Sequence, residues 1–228
     1  MCGRYTLTKI DPATLRARFG FDVDPTLDFD ERPRFNIAPT DPVLAIRTVS
    51  GGRRELGRLR WGLLPGRWAQ EGTRALINAR AETLETQPAY RESFLRRRCL
   101  IPADGFYEWR VDEHGKQPVW ISREDGEPFA FAGIWAALDG KGTDPVHSCA
   151  IVTCEPNELV RPVHDRMPVI LDPAAEGPWI APDGDPGVLR KLLRPIDPDA
   201  LCVREVSDAV NDVREDGPHL LAPPLKLF

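Results

Sequence analysis

Met1 followed by a small residue is a form that permits removal of the initiator, and here the next residue is Cys2. Its exposure as the terminal residue would place a free α-amine and a thiol on adjacent carbons. Reference pKa values of ~7.7–8.0 for the amine and ~8.5 for the thiol leave a useful fraction of each nucleophilic near neutrality. A 1,2-aminothiol has two chemistries. It can attack an amide as an N-terminal nucleophile, with the amine as base. It can also condense with an aldehyde, the amine forming an imine and the thiol closing a five-membered thiazolidine. The plain alternative is an unremarkable residue at a frayed terminus.

Three further segments set polar groups among apolar ones. In Leu76-Ile77-Asn78-Ala79-Arg80-Ala81-Glu82-Thr83, Asn78 and Arg80 are two apart and share one face of an extended chain. Gly105-Phe106-Tyr107-Glu108-Trp109 holds one carboxylate among aromatics, where desolvation raises its pKa toward that of a general acid and base. Val163-His164-Asp165-Arg166-Met167-Pro168 puts an imidazole, the natural proton shuttle near pH 7, beside two charges. Taken singly, each also reads as an ion pair, a turn or a satisfied polar group at a strand end. No Gly-rich phosphate loop and no metal-spaced His/Cys cluster occurs, so no cofactor and no metal are expected. Cys149 and Cys154 are five apart, so on a strand they face opposite ways and cannot form one site.

The elements that must position these groups are short, because 23 prolines are spread along the chain. Asp11-Pro12 before Leu15 and Phe19 predicts a capped helix. Residues 43–49 and 55–61 read as two strands joined by Ser50-Gly51-Gly52, with Leu59 and Trp61 on one face of the second. Residues 90–98 predict a helix, followed by strands at 99–101, 106–110, 119–122, 129–135, 149–154 and 167–171. The segment 113–115 reads as a turn, residues 185–193 as a short helix and 201–206 as a late strand. The pattern predicts a single α+β domain over residues 1–228, built on antiparallel, barrel-like β-sheets with short flanking helices.

The 228 residues are 42% hydrophobic and 29% charged, an ordinary globular composition. No apolar run reaches the ~20 residues of a membrane helix, and no signal-peptide core follows Met1. Five cysteines without a CxxC argue against a disulfide framework, so a reduced, cytoplasmic protein without a membrane partner is expected. The net charge of -5 speaks against a general nucleic-acid binder, so any such role must rest on local residues. Arg makes up 25 of the 30 basic residues, which suits bidentate phosphate contacts and equally fits a GC-rich genome.

Six segments stand in one order: Met1-Cys2-Gly3-Arg4-Tyr5, Phe35-Asn36-Ile37-Ala38-Pro39-Thr40, Trp61-Gly62-Leu63-Leu64-Pro65, 78–83, 98–109 and 164–168. In this the chain resembles the SRAP family of abasic-site processing proteins, from residue 2 to about Asn211. The resemblance implies a self-inactivating enzyme of the DNA-damage (SOS) response. It would bind abasic single-stranded DNA as a monomer and form a thiazolidine crosslink between the terminal cysteine and the ring-opened deoxyribose. It further implies that Cys2 supplies both nucleophiles and that Asn78 holds the reacting carbon. Glu108 would move protons, and His164 would assist opening of the sugar and release of the crosslink. Arg4 and Arg80 would hold phosphates, Trp68 and Trp61 would stack on bases, and Asn36 and Arg166 complete the DNA-contacting set. Family members commonly carry an aromatic where this chain has Arg67, so its stacking surface differs. The absence of a partner-binding tail after Phe228 fits the compact bacterial form. The family is also associated with lyase and peptidase-type activity, and an N-terminal-nucleophile cysteine amidohydrolase is the competing reading. A noncatalytic single-strand-binding module is the third.

Overall fold

The computed structural model describes residues 2–23, 32–65, 75–113, 115–138 and 145–224. Fourteen strands and four α-helices are laid out among these. In chain order they are β1 (Arg4–Leu7), α1 (Pro12–Phe19), β2 (Asp22–Val23), β3 (Arg34–Ile37), β4 (Pro42–Thr48), β5 (Arg54–Trp61) and β6 (Asn78–Arg80). Next come α2 (Pro88–Arg96), β7 (Arg98–Ala103), β8 (Gly105–Asp112), β9 (Gly115–Arg123), β10 (Phe129–Leu138) and β11 (Val146–Cys154). The chain ends with β12 (Met167–Pro168), β13 (Ile170–Leu171), α3 (Pro173–Ile180), α4 (Pro186–Leu192) and β14 (Leu201–Glu205).

Two sheets organise them. The first has the order β14-β9-β8-β1-β3. In the second, β11, β10, β7, β4 and β5 pair in succession, and β5 returns to β11. That last pairing is parallel (Ser148 with Arg60, Cys149 with Trp61) and closes a five-stranded barrel. Closure removes the unpaired edges an open sheet would leave. The interior is filled by alternate residues of these strands, as the 2.0 period of a strand requires. Trp61 and Phe131 lie there, each packed edge-on against Tyr5 at centroid distances of 5.3 and 5.6 Å. Tyr5 belongs to β1, so the same ring contacts join the two sheets.

The expected α+β class and barrel are what the chain forms. The capped helix is α1: the Asp11 carboxylate accepts from the Thr14 amide, and Gly20 ends the helix in the left-handed conformation. The helix expected at 90–98 begins two residues earlier, at Pro88, and stops at Arg96. Arg98 is already the first residue of β7, where its guanidinium donates to the carbonyls of Phe94, Trp179 and Ala181. The strand expected at 167–171 is split between β12 and β13 because its halves pair with different neighbours, β11 and β10. The expected turn at 113–115 joins β8 to β9, but His114 lies outside the described residues.

Gly105 in β8 marks a close approach within the first sheet, where the indole of Trp120 on the neighbouring strand β9 lies over its backbone. A Cβ on this residue would lie 2.2 Å from the Trp120 indole. Trp120 cannot yield easily, since its Nε1 donates to the Thr6 hydroxyl at 3.1 Å. Gly105→Ala should therefore destabilise the protein by about 3 kcal/mol, the upper end of ordinary overpacking. Chemical denaturation would check this, and a variant as stable as the parent would refute the tight approach.

Candidate active site at the amino terminus

Strand β1 lies inside the first sheet, between β3 and β8. Its register with β8 pairs Arg4 with Tyr107 and Tyr5 with Phe106. Continuing that register back one residue brings Glu108 opposite Gly3, next to Cys2. Cys2 is fully buried and Glu108 is 3% exposed. The charge of Glu108 is felt at the Cys2 thiol, where it adds to burial in pushing the thiol pKa well above the ordinary range. Burial likewise raises the Glu108 carboxyl to about 7, with the positive amino terminus opposing the rise.

Asn78 arrives from the barrel side. Its short strand β6 pairs in parallel with β11, Ile151 opposite Asn78 and Thr153 opposite Arg80. From there the Asn78 side-chain amide donates to the Cys2 carbonyl at 2.9 Å. Tyr90 on α2 steadies this strand, its hydroxyl donating to the Asn78 carbonyl at 3.2 Å. The side-chain oxygen of Asn78 is buried and finds no hydrogen-bond partner among the described residues.

His164 follows a turn in which its backbone amide donates to the Val160 carbonyl. The Arg166 amide donates to His164 Nδ1 at 2.9 Å, and Asp165 Oδ1 lies at the same distance from that nitrogen. One nitrogen cannot accept the amide hydrogen and donate to the carboxylate at once. Burial, followed by the amino-terminal charge, lowers the imidazole pKa and keeps the ring neutral. The amide bond therefore sets the tautomer, and the proton resides on Nε2. The charge of the amino terminus thus acts on both Glu108 and His164, and Asn78 holds the Cys2 carbonyl.

Two clefts flank this point. One, of about 680 Å3, is lined by Ile77, Asn78, Arg80, Gln87 and Tyr90 among others. The other, of about 520 Å3, is lined by Gly3, Arg4, Pro39, Thr40, Trp109 and Val213 among others. Thr40 holds a φ of 80°, a strained conformation for a β-branched residue, and its amide donates to the Trp61 carbonyl at 2.7 Å.

The residues expected to contact DNA divide sharply. Arg80 is exposed on the rim of the larger cleft, and no side-chain hydrogen bond or ion pair of its guanidinium appears among the described residues. Trp61 corrects the expectation of stacking. It is fully buried, and its indole donates to the Ile77 carbonyl at 2.9 Å, so it offers no face to a base. Asn36 is corrected too. It is 2% exposed, accepts from Arg4 and donates to the carbonyls of Asp212 and Glu215, so it clamps the C-terminal segment onto β3.

Arg4 is largely committed to the protein as well, donating to the Asn36 side chain at 2.8 Å and the Val210 carbonyl at 2.7 Å. Arg166 makes a bidentate pair with Glu82 and reaches the Thr153 carbonyl at 2.7 Å. It anchors the His164 turn to β11 instead of waiting for a phosphate. Trp68 and Arg67 lie outside the described residues. Sequence reasoning passed over Tyr90 and Trp109. The strand period could have found Trp109, which β8 carries immediately after Glu108, while Tyr90 gave no signal beyond its place in a short helix. No group of His, Cys, Asp and Glu able to hold a metal occurs among the described residues. No helix among them is long and apolar enough to cross a membrane.

A small closed barrel with a second sheet that buries a cysteine at the amino terminus among Asn, Glu and His side chains describes a definite class of protein. Residues 1–213 match the family described as SOS response associated peptidase (SRAP), and the chain belongs to that family. It is 40% identical over 227 residues to the abasic site processing protein YoqW of Bacillus subtilis, covering 97% of this chain and 99% of that one. It is 30% identical to the abasic site processing protein YedK of Escherichia coli, covering 98% and 100% of the two chains. Against HMCES of Gallus gallus, also an abasic site processing protein, the identity is 32%, over 84% of this chain and 66% of that one. A crystal structure of a Bacteroides thetaiotaomicron protein superposes with a TM-score of 0.82 at 23% identity, covering 98% and 100%, which speaks to the fold.

Proposed function

We propose that this protein processes abasic sites by trapping them covalently in single-stranded DNA. The observation that carries this reading is a buried Cys2 whose carbonyl is gripped by the Asn78 amide, with a carboxyl group poised near 7 and an imidazole of lowered pKa both in the field of the amino terminus. With Met1 removed, the α-amine of Cys2 attacks the aldehyde of the ring-opened deoxyribose and gives a carbinolamine. Loss of water leaves an iminium, and the thiol adds to the same carbon as its proton is taken away. One C–N and one C–S bond form, and one water is released.

Each neighbour fits a step. A carboxyl of pKa about 7 is part acid and part base at neutral pH, so Glu108 can protonate the departing hydroxyl and accept a proton later. His164, carrying its proton on Nε2, can assist opening of the closed sugar and, by microscopic reversibility, reversal of the crosslink. The raised thiol pKa fixes the order: the amine reacts first, and the thiol is drawn in only once a cation has formed. The same property weighs against the amidohydrolase reading, which needs the sulfur as the opening nucleophile. We further assign a monomer working in the cytoplasm, with Arg80 holding a phosphate beside the lesion and Arg4 presenting what remains of its charge to another. Few phosphates are engaged, which accords with a net charge of -5.

Mixing the protein with abasic single-stranded DNA and weighing the product should give the sum of the two masses less one water, on protein lacking Met1. No adduct, or a mass that keeps the water, would defeat the proposal. Arg80→Ala should weaken binding roughly uniformly across sequences and reduce the salt slope by about 0.7, the value of one single-strand phosphate contact. An unchanged slope would remove Arg80 from the interface.

A further inference from the structure

The larger cleft has features that phosphate binding does not explain. Its floor is apolar, made by Leu76 and Ile77, and the half-buried Tyr90 stands on one wall with its hydroxyl held by the Asn78 carbonyl. Gln87 lines the same space, exposed, and no hydrogen bond of its carboxamide appears among the described residues. The Thr83 hydroxyl, also in the lining, is turned to the Arg80 carbonyl at 3.3 Å. A volume of about 680 Å3 lies within the ~300–1,000 Å3 range of small-molecule sites.

Charge and continuity identify what fits. Asn78 belongs to both the cleft and the reactive centre, so whatever fills the cleft is adjacent to the group attached to Cys2. Arg80 supplies a cation at the rim. The nearest carboxylate in sequence, Glu82, is occupied by its bidentate pair with Arg166. The cleft therefore presents an apolar floor, one aromatic wall, the carboxamides of Asn78 and Gln87, of which Asn78 is turned to Cys2, and one cation. A nucleotide has the matching parts: a flat ring with polar edges, joined to a phosphate.

We propose that this cleft is a nucleobase subsite that takes the base of the one nucleotide next to the abasic sugar, its phosphate on Arg80. Tyr90 provides the aromatic contact and Gln87 bonds the base edge. An aromatic wall accepts any base, and a Gln carboxamide best complements adenine, which offers a donor and an acceptor side by side. The subsite rests on the trapping reaction proposed above and assigns that reaction a context preference. Its occupant seats the strand so that the lesion reaches Cys2.

The test uses single-stranded abasic oligonucleotides in which the neighbour on one side, then the other, is adenine, a pyrimidine or a second site lacking a base. Initial capture rates are measured at DNA concentrations well below saturation. For the parent protein, loss of the base on one side only should slow capture about tenfold, and adenine should exceed pyrimidine about threefold. Each variant is judged by its own ratio of rates, so a general loss of activity cancels. Gln87→Ala should abolish the adenine preference, and Tyr90→Leu should shrink the tenfold effect to twofold or less. Gln87 is exposed on the surface, so its variant remains informative even if Tyr90→Leu folds poorly. Capture that proceeds equally with and without neighbouring bases would overturn the subsite and leave the trapping reaction standing. So would a base preference that both variants retain. No capture of any oligonucleotide by the parent would overturn both.

Discussion

Cys2→Ala should eliminate the heat-stable protein–DNA product, not merely slow its appearance. The variant keeps an α-amine and can still reach an imine, but an imine hydrolyses back to amine and aldehyde. Only the second bond, from sulfur to the same carbon, closes a ring that survives denaturation. After boiling in detergent, the parent should therefore run as an adduct and the variant as free protein. Borohydride added before boiling should recover a product from the variant, because reduction converts the imine into a permanent amine. An uncleaved extension ahead of Cys2 should abolish both products, since it removes the amine. A Cys2→Ala protein that formed the heat-stable adduct unaided would mean that another nucleophile does the work, and the proposed function would fall.

Glu108→Gln should trade reactivity for stability. Glutamine keeps the shape of the side chain but can neither give nor take a proton, so the single-turnover rate at saturating DNA should fall about 10²–10⁴-fold, the usual worth of a positioned acid–base group. Binding of an intact strand should be nearly unaffected. Stability should move the other way. The Glu108 carboxyl titrates near 4.5 when unfolded and at about 7 in the fold. The folded protein therefore holds its proton more tightly across that window. The stability this group contributes is greatest below pH 4.5 and is lost as the pH rises through about 7, by about 3 kcal/mol for a group so deeply buried. Glutamine carries no such cost. At pH 8 the variant should be the more stable protein, and the gap should close as the pH is lowered below about 5. Denaturant titrations at several pH values would measure this. Equal pH dependence in the two proteins would show that Glu108 is not the titrating group, and an unchanged trapping rate would make its role purely structural.

Much of the fold was legible because local physics marks it. The Asp11 cap, the Ser50-Gly51-Gly52 connection and the alternation along β5 all announce themselves within a few residues. The closure of the barrel did not. The parallel pairing of β5 with β11 joins residues nearly ninety positions apart, and no periodicity encodes a partner at that distance. The helix α3 was missed for a different reason. Its sequence, PAAEGPWI, contains a glycine and an internal proline, and α3 is held by packing, with Trp179 fully buried against Phe94.

The site divides along the same line. Cys2, Asn78, Glu108 and His164 could be picked out because each is a reactive type in an improbable setting. The binding residues came with the family resemblance, and a shared motif does not reveal exposure. Trp61 and Asn36 turned out to be among the most buried residues of the chain. Arg166 found Glu82, a partner 84 residues away in sequence. Arg80, whose residue type looked no different from theirs, is the cation left facing outward.

The position of β1 has a mechanical consequence. A DNA strand bonded to Cys2, as proposed, would be tied to the end of a strand that runs between two antiparallel neighbours, Tyr5 paired with Phe106 on one side and with Ile37 on the other. Tension on the DNA would act along β1, so the hydrogen bonds to β3 and β8 carry the load together, in shear. They would not be peeled open one after another, as they would if the attachment lay on a loop or a free tail. The ring contacts of Tyr5 with Trp61 and Phe131 pass part of that load into the barrel. If DNA is trapped on Cys2 as proposed, the protein would act as a rivet: a machine hauling on the strand would meet the cohesion of both sheets before the joint gives.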